Sequence, residues 1–202
     1  MPFLILLRHG QSTWNLENRF TGWEDVDLTP QGEWEARRAA MLMKQYVPDL
    51  AYSSEMIRAE HTLAIILSEL GIQIPIVETP KLIERNYGDL QGLNKADTEK
   101  KYGSQQVLSW RRSYNTAPPR GESLKDTVRR VVAYYKMEVE RHLKEEKNIL
   151  IVAHGNSLRA LMMYLEGISE DAIADTTIAT GVPRLYEFSS DLELLRVHYL
   201  EE

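Results

Sequence analysis

The sequence predicts an α/β fold in three layers, a mostly parallel central sheet flanked by helices. Two observations carry this. Between residues 3 and 77, apolar runs of strand length alternate with segments of helical periodicity. Such alternation calls for parallel pairing, with the helices packed on the sheet. Two predicted strands also end in the same dipeptide, His9-Gly10 and His154-Gly155. Open α/β sheets bind their ligands at the carboxyl ends of strands.

The first strand is the apolar run Phe3 to Leu7, followed by Arg8-His9-Gly10 and the short polar residues Ser12, Thr13 and Asn15. Asn18 to Asp27 reads as a loop. Thr29-Pro30 starts a helix, with threonine as cap and proline where its missing N–H costs nothing. Ala39, Leu42, Met43 and Tyr46 recur at helical spacing, and Pro48 ends the run. Leu50 to Ser53 is a second strand. Ser54 is expected to cap a helix whose apolar face includes Ile57, Ala64, Leu67 and Leu70, closed by Gly71. Ile74 to Val77 is a third strand.

From Thr79 to Gly121 aliphatic density falls, and the segment reads as an insertion beside the sheet within a single domain spanning 1–202. Short helices are expected over Lys95–Tyr102 and Gln105–Tyr114, capped by Asn94 and Ser104. Ser123 and Asp126 form a capping box for a long helix with Val128, Val131, Val132, Tyr135, Val139 and Leu143 on one face. Asn148 to Ala153 is a buried strand, Leu158 to Glu166 a helix ended by Gly167, and Arg184–Phe188 and Leu194–Leu200 are closing strands. Trp14, Trp23, Trp34 and Trp110 are expected to pack, as are Met41, Met43, Met162 and Met163. His61, His142 and His198 read as structural or surface residues.

The chain of 202 residues can bury a substantial core. It has no cysteine, which excludes disulfides and thiolate chemistry. A net charge of −6 argues against nonspecific binding of nucleic acid or an anionic membrane surface. No apolar run approaches the ~20 residues of a membrane span. The N-terminal apolar run is too short for a signal peptide and lacks a basic segment before it. The expected location is cytoplasmic, as a monomer or small homo-oligomer.

If both His-Gly strands lie centrally in one sheet, two imidazoles meet at its edge. Imidazole is a common metal ligand. The chain neighbours Arg8, Gln11, Ser12, Asn15, Asn156 and Ser157 include no carboxylate, however, and an arginine repels a divalent cation while it attracts phosphate. No metal is expected. Arginine offers a planar fork to phosphoryl oxygens, and neutral imidazole can attack phosphorus. Arg58 at a helix start, Lys95, and the pair Arg111-Arg112 add cations suited to an anionic small ligand. Taken singly, each also reads as a solvated surface charge. Glu84 is the one acid embedded in this set, and a glutamate there can serve as general acid or base.

Leu7-Arg8-His9-Gly10, His154-Gly155 and Glu84-Arg85-Asn86-Tyr87-Gly88 resemble the histidine phosphatase superfamily. Longer stretches resemble its cofactor-dependent phosphoglycerate mutases: Gln11 to Asn15, Phe20 to Trp23, Leu90 to Lys95, Trp110 to Tyr114, Glu122 to Thr127 and Ala153 to Arg159. Asn86 stands where many mutases carry histidine, and the Asn115–Gly121 link is shorter than in longer members. The resemblance implies a phosphoglycerate mutase-like fold and a glycolytic reaction interconverting 2- and 3-phosphoglycerate, primed by 2,3-bisphosphoglycerate. It implies that His9 is the phosphohistidine nucleophile, that Arg8, Arg58 and His154 bind the transferring phosphoryl group, and that Glu84 exchanges a proton with the substrate hydroxyl. Ser12, Asn15, Thr21, Gly22, Arg85, Tyr87, Lys95, Arg111, Arg112, Gly155 and Asn156 would line the pocket for a small phosphorylated carboxylic acid. A phosphatase of the same superfamily is the alternative enzyme, and an inactive binding module the alternative from another class.

Overall fold

In the computed structural model, which describes residues 1–201, a six-stranded sheet forms the middle layer with strand order β3-β2-β4-β1-β5-β6. The strands are β1 (Phe3–Arg8), β2 (Leu50–Ser53), β3 (Ile76–Glu78), β4 (Ile149–Ala153), β5 (Arg184–Phe188) and β6 (Leu194–Tyr199). The first four run parallel. The closing pair is antiparallel, β5 against β1 and β6 against β5. The third strand sits two residues later at its start than its sequence suggests, since Pro75 supplies a carbonyl to Ala51 but no N–H.

Both faces of the sheet are covered. On one side α2 (Pro30–Leu42) and α3 (Ile57–Leu70) bury Ala36, Ala39, Ala59, Leu63 and Ile66 against Ile5, Leu7, Leu150 and Val152. On the other, α6 (Leu124–Tyr134) and α8 (Gly155–Glu166) bury Val131, Leu158 and Leu161 against Leu4, Leu6, Ile149 and Ile151. Every residue of β4 is buried, as befits a central parallel strand covered on both faces.

The expected caps hold in most places. Thr29 Oγ1 accepts from Gly32 N, Asn94 Oδ1 from Ala96 and Asp97 N, and Ser123 forms its capping box with Asp126. Gly71 closes α3 in the left-handed conformation. The helix after Ser123 is interrupted by a π segment, Tyr135–Val139, before α7 (Glu140–Lys144). The widened turn explains how Tyr135, Val139 and Leu143, four residues apart, all reach the core.

Several expectations change. Ser54 does not cap α3: Met56 is the cap residue, with no side-chain hydrogen bond. Ala64 is exposed, and the buried face of α3 passes through Leu63, Ile66 and Leu67. Trp23, Trp34 and Met41 are exposed rather than packed. The helix after β4 begins at Gly155, three residues earlier than expected.

Residues 79–121 add no strand to the sheet. They hold α4 (Lys95–Tyr102) and α5 (Ser104–Arg112), with Gly103 rather than Ser104 as the cap residue of α5. A small core of Phe20, Leu90, Val107 and Trp110 ties them to the loop that follows α1 (Thr13–Leu16).

Candidate active site

Parallel pairing of β1 with β4 places Arg8 opposite Ala153. The next residue on each strand is therefore a histidine, and the two rings stand with centroids 5.0 Å apart. Backbone bonding continues one step beyond the strands, from His9 N to the Ala153 carbonyl over 3.0 Å. His154 then caps α8, its N–H donating to Ser157 Oγ over 3.1 Å.

The His9 ring is fixed. Nδ1 lies 2.7 Å from the Gly10 carbonyl oxygen; a carbonyl only accepts, so Nδ1 carries the proton. Burial, followed by the nearby charges of Arg58 and Arg8, holds the His9 pKa well below its usual value. The ring is neutral at pH 7, with its lone pair on Nε2. His154 is held down in the same way, by burial and by Arg58, His9 and Arg8. Its Nε2 lies 2.6 Å from Ser54 Oγ.

Two arginines flank this pair. Arg58, in the first turn of α3, is 1% exposed and donates from Nη1 and Nη2 to the carbonyls of Glu24 and Gly22, each over 2.9 Å. Burial lowers its pKa to about 10. The amide of the neighbouring Ile57 is taken by Asp25 Oδ1, so α3 does not offer that N–H to a ligand. Arg8 Nη1 donates to the Ile178 carbonyl over 2.8 Å. Arg8 Nε, Arg58 Nε and His154 Nδ1 are buried without a protein partner.

A cavity of about 190 Å³ opens beside them. Arg8, Lys95, Arg111, Arg112 and Arg159 line it, with Glu84 as the one acid among the described lining residues. A second compartment of about 70 Å³ shares Arg8, Glu84, Tyr87 and Lys95 and adds Asn15, Thr21 and Gly22. Glu84 is 9% exposed; its Oε1 accepts from Arg85 N over 2.7 Å and Asn156 N over 3.0 Å. Its Oε2 stands 3.6 Å from where a Cβ on Gly155 would lie, with Arg8 Nε 3.8 Å from the same point. Burial lowers the pKa of Lys95. Among the described residues no three His, Asp or Glu side chains form a group able to hold a metal ion. The surroundings of His9 attract anions.

Residues 4–197 match the family model of the histidine phosphatase superfamily, branch 1. The chain belongs to the histidine phosphatase superfamily. Within it, a 2,3-bisphosphoglycerate-dependent phosphoglycerate mutase of Cytophaga hutchinsonii is 58% identical over the whole chain and 94% of its own length. The corresponding protein of Bartonella henselae is 49% identical over 93% of each chain. Among solved structures, Bacillus stearothermophilus YhfR superposes with a TM-score of 0.85 at 27% identity, covering 96% of this chain and 94% of its own. Mycobacterial glucosyl-3-phosphoglycerate phosphatase in complex with VO3 does so with a TM-score of 0.84 at 26% identity, covering 100% and 99%.

In this histidine phosphatase chain, Arg8, Glu84, Tyr87, Lys95, Arg111, Arg112, Gly155 and Asn156 line the larger cavity and Asn15, Thr21 and Gly22 the smaller, while His9, Arg58 and His154 are buried beside them and line neither. Ser12 and Arg85 serve as supports. Ser12 is fully buried as the cap of α1, its Oγ accepting from Asn15 N over 3.3 Å; it positions Asn15 rather than lining a cavity. Arg85 is also fully buried. Its Nη2 donates to the carbonyls of Trp110 and Arg111 at the end of α5, over 2.9 and 3.1 Å, so it anchors the helix that carries Arg111 and Arg112.

Three residues at or beside the site carry no site role in the sequence reading, which expects Trp23 to pack and Ser54 to cap a helix. Arg159 lines the cavity, Nη1 donating to Asn156 Oδ1 over 3.0 Å; its i,i+3 spacing from Asn156 on α8 was the available signal. Trp23 donates from Nε1 to the Glu84 carbonyl. Ser54 meets His154 across 100 residues of sequence, a contact that no local pattern signals.

Proposed function

We propose that this chain interconverts 2- and 3-phosphoglycerate as a 2,3-bisphosphoglycerate-dependent mutase, with His9 as the group that carries the phosphoryl in transit. The observation that carries this reading is the distribution of charge in the larger cavity. Arg8, which adjoins His9 in the chain, lines it, and Lys95, Arg111, Arg112 and Arg159 supply further cations around one carboxylate. Such a site suits a ligand with two anionic groups, and the names of the relatives at 49–58% identity agree with it.

His9 Nε2 attacks phosphorus, the Gly10 carbonyl holding the opposite ring proton. Arg8, Arg58 and His154 gather the oxygens of the transferring group, and their unpartnered buried nitrogens Arg8 Nε, Arg58 Nε and His154 Nδ1 fit an anion there. Glu84 exchanges a proton with the substrate hydroxyl. Lys95, Arg111 and Arg112 hold the carboxylate and the second phosphate, with Asn15, Thr21, Gly22, Tyr87, Gly155 and Asn156 completing the walls. Bound 2,3-bisphosphoglycerate supplies the phosphoryl group that loads His9. Residues 79–121 cover the site within one domain and limit the entry of water. A small phosphorylated carboxylic acid is the partner, and the cytoplasm is the setting.

The test is an assay with 3-phosphoglycerate, with and without catalytic 2,3-bisphosphoglycerate, following 2-phosphoglycerate and free phosphate together. Fast, cofactor-dependent formation of 2-phosphoglycerate with little free phosphate is the expected result. Mostly free phosphate would replace the mutase with a phosphatase.

A further inference from the structure

One peptide unit joins Glu35 to His9. The Gly10 carbonyl accepts the Nδ1 proton of His9 over 2.7 Å. Across the same peptide bond, Gln11 N donates to Glu35 Oε2, also over 2.7 Å. The bond is trans, so its C=O and N–H point in opposite directions, with imidazole on one side and carboxylate on the other. An anion on the amide proton draws electron density onto the carbonyl oxygen, and hydrogen bonds in a chain strengthen one another. A more negative oxygen binds the Nδ1 proton more firmly and leaves more electron density on Nε2.

The local packing brings these groups together. A Cβ on Gly10 would lie 2.2 Å from the Gly32 carbonyl oxygen, and one on Gly32 would lie 2.1 Å from that of Gln11. With neither present, the first turn of α2 rests directly on the Gly10-Gln11 backbone. Thr29 N and Oγ1 hold the Gln11 carbonyl over 2.9 and 3.2 Å, and Thr62 Oγ1 accepts from Gly10 N over 3.0 Å. The only other bond to the Glu35 carboxylate among the described residues is a 3.5 Å contact from Gln31. Glu35 lines neither compartment of the site.

We propose that Glu35 is a positioning residue for His9: its carboxylate orients and polarises the Gly10-Gln11 peptide, which keeps the proton on Nδ1 and an electron-rich Nε2 toward phosphorus. The inference rests on the reading of His9 as nucleophile. The step it serves forms the Nε2–phosphorus bond and breaks the phosphorus–oxygen ester bond, whose electron pair leaves on the departing oxygen and takes a proton from Glu84. A carboxylate orients a catalytic imidazole in the same sense in hydrolase triads, where the contact is direct. Here a peptide bond lies between them.

The test compares wild type, Glu35→Gln and Glu35→Ala in single-turnover loading of His9 from radiolabelled 2,3-bisphosphoglycerate, in steady-state kinetics, and in NMR of 15N-labelled histidine. Glu35→Gln keeps an acceptor for Gln11 N and loses only the charge. Loading is expected to slow about tenfold in Glu35→Gln and about 100-fold in Glu35→Ala, with KM close to wild type. The His9 Nδ1 proton resonance should move upfield in both. Wild-type loading rates in both variants overturn the proposal. So does a rise in KM at unchanged kcat, which would assign Glu35 to supporting the charge of nearby Arg8. If wild type itself fails to load His9, the nucleophile assignment falls first and this inference with it; the wild-type lane separates that outcome from a failure of the Glu35 role alone.

Discussion

Trp23 Nε1 donates to the carbonyl oxygen of Glu84 over 2.7 Å, although the indole is 46% exposed. The same oxygen accepts from Arg130 Nη2 over 2.9 Å, and Arg130 is held in turn by two 3.0 Å bonds to Glu122. The loop that carries Gly22, an acceptor of Arg58, is thus tied to the backbone of the proposed acid–base residue. Trp23→Phe keeps the ring and removes the donor. It should lower kcat about 3- to 10-fold with little change in KM, the loss of one hydrogen bond, read by steady-state kinetics.

His9→Ala should abolish both the mutase reaction and radiolabel incorporation while the protein stays folded. Circular dichroism and the labelling assay check this together. An active His9→Ala variant would overturn the mechanism.

Arg85 and Arg112 should part company. Arg112 lines the cavity and donates to the Thr176 carbonyl over 3.2 Å. Arg112→Ala should raise KM about 10- to 100-fold, the loss of a charge-assisted contact, while slow loading of His9 persists. Arg85→Ala should instead cost about 2–4 kcal/mol of stability, because two helix-end carbonyls lose a buried charged donor. Denaturant unfolding beside kinetics separates the two.

Stability should depend on pH through the buried histidines. Folding holds His9 and His154 neutral, while in the unfolded chain they take protons below about pH 6.5. Below that pH the unfolded state binds more protons, so stability is fully present above it and falls as the solution is acidified. The slope is at most about 1.4 kcal/mol per pH unit for each histidine. Unfolding of wild type and His9→Ala at pH 7.5 and 5.5 should show a smaller loss in the variant.

Gly10→Ala should destabilise the protein by about 2–4 kcal/mol, since its Cβ would overlap the Gly32 carbonyl and the backbone would have to yield. A lowered Tm at unchanged secondary structure is the expected reading.

By itself the sequence determined the layered α/β class, the two strands ending in His-Gly, the helix caps at Thr29, Asn94 and Ser123, and four of the five cations that line the cavity, Arg8, Lys95, Arg111 and Arg112. These follow from local periodicity, capping chemistry and motif, all short-range properties of the chain. The tertiary structure decided the register of Arg8 against Ala153, which sets the two imidazoles side by side. It turned Ser54 from an expected helix cap into the partner of His154, and it separated buried Arg85 from cavity-lining Arg112. Glu35 shows the reason most clearly. In the helical pattern of α2 it reads as one more half-exposed acid, and only the approach of Gly32 to the Gly10-Gln11 backbone places its carboxylate on that peptide. Contacts between residues far apart in the chain depend on how elements pack, and packing leaves no trace in local spacing.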